Sequence, residues 1–193
     1  MMLRRWILDD LEQIRFSHRI TAGAVAKARW AERPRPDANS VAFLVWHMAR
    51  WHDLSVNLFV RNVETVYERG WMQQLGLDPA PGTGFTSDQV DELGALADPE
   101  ILEAYFNAVL DETETWLNSI DDPMLGVILE EVIDTDARWR GDERLLPPSA
   151  AWVVEFQRGW TGAQFLRWTA VGHLFWHFGE LQTVTSELGH PLR

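Results

Sequence analysis

The chain has 193 residues, no cysteine, and 29 acidic against 17 basic side chains, for a formal charge of −12. Disulfides, thiolate metal sites and cysteine nucleophiles are therefore excluded. The acidic balance argues against duplex nucleic acid and against an anionic membrane surface as partners. No apolar run approaches the length of a membrane span. Arg4-Arg5 is followed at once by Asp9-Asp10, which is not a signal-peptide pattern, so a cytoplasmic protein is expected. Residues 1–193 have the length of one domain, long enough to bury roughly 70% of the surface the unfolded chain exposes. Eleven tryptophans and nine phenylalanines against two tyrosines point to a bulky aromatic interior.

Ile7, Leu11, Ile14, His18, Ala22 and Val25 recur at steps of four and three, which predicts a long helix over 3–31. Pro34 and Pro36 end it. The segment 40–61 is nearly apolar all round at its start, the mark of a helix buried on most sides. Glycine and proline punctuate 62–98, with Thr86 to Gln89 resembling a capping box for a short helix at 87–96. Asp98-Pro99 opens a helix over 99–119, and Asp121-Asp122-Pro123 stops it. In 124–159, Val127 to Ile133 and Trp152 to Phe156 are β-rich in composition and could form a hairpin arm or cross the surface. A last helix over 161–188 ends at Gly189 and Pro191. Four long helices with long connections predict an all-α four-helix bundle.

His173 and His177 stand four apart, so a helix brings both rings to one face, where they can reach one metal ion. Two neutral core imidazoles bonded to backbone or water would show the same spacing. His47, in the apolar run of the second helix, is a third candidate. Facing helices can bring the three rings to one level and leave coordination positions open, as catalytic sites do. Three neutral ligands would keep the full charge of a divalent ion and make it a strong Lewis acid. A zinc peptidase is excluded, because the residue after the first histidine is Leu174 rather than the required glutamate. Glu180 shares the face of His173 and His177. It is a candidate base, fourth ligand or outer hydrogen-bond acceptor, or else an ion-pair partner of another helix. His18 falls on a core stripe and reads as a hydrogen-bonded core histidine; His52 and His190 read as surface.

Ser40 to Asp53 (SVAFLVWHMARWHD), Gly70-Trp71, Leu75-Gly76-Leu77, Gly82-Thr83-Gly84-Phe85 and His173 to Glu180 (HLFWHFGE) follow one another in an order that resembles the DinB-like metalloprotein superfamily. That superfamily includes bacillithiol- and mycothiol-dependent S-transferases. The resemblance spans nearly the whole chain and is weakest over 124–159. It implies a four-helix bundle, a homodimer, and one divalent transition metal, zinc or nickel first, on His47, His173 and His177. It further implies a small-molecule substrate and a low-molecular-weight thiol brought in as cofactor; Glu180, from its place on the helix face, is read as the base near the site. A metal-dependent hydrolase and a non-catalytic metal-binding stress-response dimer are the alternatives.

Overall fold

The stripe of Ile7, Leu11, Ile14 and His18 is buried along one side of α1, Met2–Ile20, in the computed structural model, which describes residues 2–139 and 143–191. The expected continuation of this helix to residue 31 does not occur. Thr21 leaves helical geometry at φ −104°, ψ −85°, and its hydroxyl donates back to the Ser17 carbonyl at 2.6 Å. Two 3-10 turns follow, Ala22–Ala24 and Lys27–Arg29. They fold Trp30 into the core, its indole N–H on the Val25 carbonyl at 3.2 Å. Ala22 and Val25 are buried by this doubling back, which reproduces the helical spacing without the helix.

Ser40 caps α2, Val41–Asp53, by accepting the Phe43 N–H at 3.2 Å. Every residue of α2 is buried, and the helix runs on through π-helical turns at Leu54–Val60. Thr86 and Gln89 form a capping box ahead of α3, Ser87–Leu96. The Asp98 carboxylate accepts the Glu100 and Ile101 N–H groups at the head of α4, Pro99–Ser119. A second capping box, Thr161 with Gln164, opens the last helix, whose segments Gly162–Gln164, Phe165–Gly172 and His173–Glu187 follow without a break.

The two segments that are β-rich in composition form no hairpin: residues 127–130 and Trp152–Phe156 are helical, and of 131–133 only Val132 pairs in extended form. Asp121 accepts the Met124 N–H, with Pro123 in the first turn, and so starts α5, Asp122–Glu130, a few residues after α4 ends. Acid-acid-proline thus serves as stop and start together. Trp152–Phe156 is a short helix. Extended pairing among the described residues is confined to one bridge, Val132 to Thr161. Gly162 beside that bridge admits no side chain, since a Cβ there would lie 2.3 Å from the Ile128 carbonyl oxygen.

The described residues are predominantly helical. We number the last helix α6, from Gly162 to Glu187. The central helix α2 packs on α4 and α6, and α1 closes the bundle against the same two. Two of the π-helical stretches, Leu54–Val60 and Phe165–Gly172, lie against each other. Residues 65–81 are tied to α2 by a buried polar network. The Asp53 carboxylate accepts the N–H groups of Val66 and Tyr67, both at 2.9 Å, and the Tyr105 hydroxyl at 2.7 Å. Arg50, fully buried, donates to Thr65, Glu68 and the Pro79 carbonyl. This network sets the path of the strap that passes over His47.

Candidate metal centre

His47 sits in the middle of α2, and His173 and His177 one turn apart at the start of the regular α-helical part of α6. The packing of α2 on α6 brings the three rings together, with one ring nitrogen of each within 4.8 Å of the others. His173 Nε2 lies 3.3 Å from His47 Nε2 and 3.1 Å from His177 Nε2.

The outer nitrogens settle the tautomers of two rings. His47 Nδ1 is 2.7 Å from the Pro81 carbonyl. A carbonyl only accepts, so Nδ1 carries the hydrogen and Nε2 of the neutral ring is a bare lone pair. His177 Nδ1 donates to the Glu180 carboxylate at 2.9 Å, leaving its Nε2 bare as well. A hydrogen on His173 Nε2 could satisfy only one of these two lone pairs, and His173 Nδ1 is itself buried without a hydrogen-bond partner. One cation would meet all three inner nitrogens. Ligand nitrogens about 2.0–2.1 Å from a tetrahedral ion stand about 3.3–3.4 Å apart, close to the 3.3 and 3.1 Å seen here. The donor set therefore fits a divalent transition metal, and neutral imidazoles suit zinc, nickel, cobalt, iron or copper.

Electrostatics agree with neutral rings at His47 and His173. Burial pushes His47 well below the usual histidine range, and the other two imidazoles push it further. Burial, with His177 beside it, brings His173 down to about 3. Glu180 is pushed up by burial, but hydrogen bonds from His177 and Asn39 more than offset this and hold it ionised, below its ordinary value. Its Oε1 accepts from Asn39 at 2.7 Å and its Oε2 from His177, the outer-acceptor position among those expected for it.

Over the histidines opens a cavity of about 380 Å3, with Phe43, Trp51, Phe85, Trp152, Phe156 and Trp168 in its walls. A larger cavity of about 500 Å3 lies between Leu77 and Pro148 and touches none of the three.

The remaining histidines stand apart from the cluster. His18 is buried as expected, stacked on Phe106 with its Nε2 3.3 Å from Glu103. His52 is not on the surface: it is 1% exposed, with Nδ1 on the Ala170 carbonyl at 2.7 Å and Nε2 beside the Thr113 hydroxyl at 2.9 Å. Because α2 is covered on every side, the side opposite His47 is interior too. His190 is half-buried beside Arg29. Sequence reasoning missed Asn39 and the Pro81 carbonyl. Asn39 had a signal, since 39, 43, 47 and 51 repeat every four residues and all four line the cavity. A backbone carbonyl leaves none.

The DinB superfamily model matches residues 10–181. The chain belongs to the DinB superfamily. A crystal structure described as a conserved protein from Enterococcus faecalis is similar in fold, with a TM-score of 0.68 at 18% identity over 96% of each chain. No curated protein matches the sequence.

Proposed function

We propose that His47, His173 and His177 hold a divalent transition metal, zinc or nickel first, in a cytoplasmic enzyme that readies a low-molecular-weight thiol for S-transfer. The observation that carries this reading is the convergence of three Nε2 atoms in the lining of an open cavity; a purely structural site is closed over by protein ligands. When bound, the ion supplies Lewis acidity that favours thiolate over thiol near neutral pH. The chain does the rest. Pro81 and Glu180 fix the orientation of His47 and His177. In this reading Glu180 is the base behind the site: it lies outside the cavity lining and acts through His177, whose Nδ1 hydrogen it accepts. The aromatic walls keep water from the reacting sulfur.

Protein purified without a histidine tag should carry about one metal ion per chain by elemental analysis. His173→Ala should lose the metal while keeping its helical circular dichroism, because long packed helices hold the fold. Addition of a thiol to the cobalt-substituted protein should change its visible spectrum. A triple alanine variant that binds metal as tightly as the parent overturns the ligand set; cobalt spectra indifferent to thiols overturn the thiol reading.

We further propose a homodimer. Trp6 and Phe16 on α1 and Phe175 and Trp176 on the adjacent α6 are exposed, apolar surface of the kind a two-fold interface covers. Sedimentation at low micromolar concentration should show twice 22.2 kDa. A single species at the chain mass overturns this.

A further inference from the structure

The cavity over the histidines is lined without a lysine, arginine, aspartate or glutamate among the described residues. Its polar side chains are Asn39, Thr83, Gln157 and Thr169, apart from the histidines themselves. Each is held by at least one hydrogen bond within the protein. Asn39 donates to Glu180 at 2.7 Å, and Thr83 accepts from the Trp51 indole at 2.9 Å. Gln157 accepts from the Trp139 indole at 3.1 Å, and the Thr169 hydroxyl donates to the Phe165 carbonyl at 2.8 Å. The walls therefore present mostly ring faces and edges.

Three of those rings stand at the mouth with much of their surface uncovered: Trp152 is 59% exposed, Phe156 50% and Trp168 43%. Large apolar side chains clustered at a concave opening mark a surface built to be covered. A charged group held against these walls, away from the floor, would lose its hydration and find no counter-charge among the described residues. The three histidines form the floor of the cavity, and it is there, on the imidazoles or the ion they hold, that a polar head is met.

We infer that this cavity takes an uncharged small molecule with a flat aromatic or alicyclic body, held between the tryptophan and phenylalanine walls, with a single donor group turned toward His47, His173 and His177. Thiols and electrophiles bearing remote carboxylates or phosphates are selected against. This rests on the reading of the three histidines as the polar floor of the site and names its substrate class.

The test uses a matched pair, benzyl mercaptan and 4-(mercaptomethyl)benzoate, which differ by one para carboxylate. Affinities are read on the cobalt-substituted protein from its visible spectrum, and on the metal-free protein from quenching of tryptophan emission. Benzyl mercaptan should bind at least about tenfold tighter in both, a factor corresponding to about 1.4 kcal/mol. Trp152→Arg, placed at the mouth on a half-covered position, should bring the carboxylated member to within about threefold without altering cobalt uptake. Equal affinities in the parent protein, tighter binding of the acid, or a preference unchanged by Trp152→Arg overturns the inference. A protein that takes up no cobalt overturns the metal reading alone, because the metal-free measurement still reports the preference of the walls.

Discussion

His47 and Arg50, one turn apart on α2, grip the same strap two carbonyls apart. His47 Nδ1 donates to Pro81 at 2.7 Å and Arg50 Nε to Pro79 at 2.9 Å, with the Trp46 indole on Ala80 between them at 3.0 Å. Three successive carbonyls thus point at one helix, and the orientation of a candidate metal ligand is tied to a buried guanidinium. Replacing Arg50 by Met strands the Pro79 carbonyl and takes the cation away from buried Asp53. Breaking a buried charge network from one side costs about 3–5 kcal/mol. Urea unfolding should show a midpoint lowered accordingly, with the m-value unchanged.

Gly82 ends this strap at φ +91°, where a Cβ would lie 2.7 Å from a Phe43 ring carbon and 3.6 Å from His47 Nδ1. Gly82→Ala should displace the Pro81 carbonyl from His47. Losing an outer hydrogen bond to a metal-ligating histidine typically weakens metal binding by about 10–100-fold. Competition with a chromophoric chelator should read a loss in that range, with little change in helix content.

Glu180→Gln keeps the size of the side chain and removes the charge that His177 Nδ1 meets at 2.9 Å. The amide oxygen can still accept, so the ring should keep its orientation while losing basicity. We expect metal affinity to fall by about tenfold and Glu180→Ala to lower it further. Equal losses in the two variants would mean that charge, not orientation, is the whole contribution.

Stability should fall in mild acid through His52. Its burial lowers it from 6.5 to about 4. Between those values the unfolded chain holds a proton that the folded chain does not, so unfolding takes up a proton and stability drops as the pH falls. From pH 7 to pH 5 this one residue accounts for about 2 kcal/mol. Urea unfolding of metal-free protein at the two pH values should show a smaller pH loss in His52→Asn than in the parent, by about that amount.

Sequence alone reached the bundle because its signals are local. Asp98-Pro99 places a cap and a first-turn proline side by side, and that helix and the last one start where expected. The histidine set was legible because i to i+4 spacing is geometry that a helix fixes, and because His47 interrupts an apolar run. What was not legible depends on neighbours far along the chain. The burial of His52 follows from α6 and α4 covering α2 on the side away from His47, which no window of sequence contains. The break at Thr21 falls in a stretch whose apolar spacing still fits a helix. The helix after Asp121 was hidden because one tripeptide both ends α4 and begins α5.

The π-helical stretch Phe165–Gly172 ends on the residue before His173. Such a stretch carries the hydrogen-bonded backbone one step wider than an α-helix, and each residue of an α-helix turns it by about 100°. The stretch therefore works as the phase setting of α6. It lets Phe165 and Thr169, which pack into the core, and His173 and His177, which face α2, occupy their places on one continuous rod. Removing a single residue between 166 and 172 would let the helix close to regular winding, and one half would have to rotate against the other. Either the histidine pair swings away from His47 or the core residues swing out of their packing. A one-residue deletion should therefore abolish metal binding or folding, even where the residue removed touches neither.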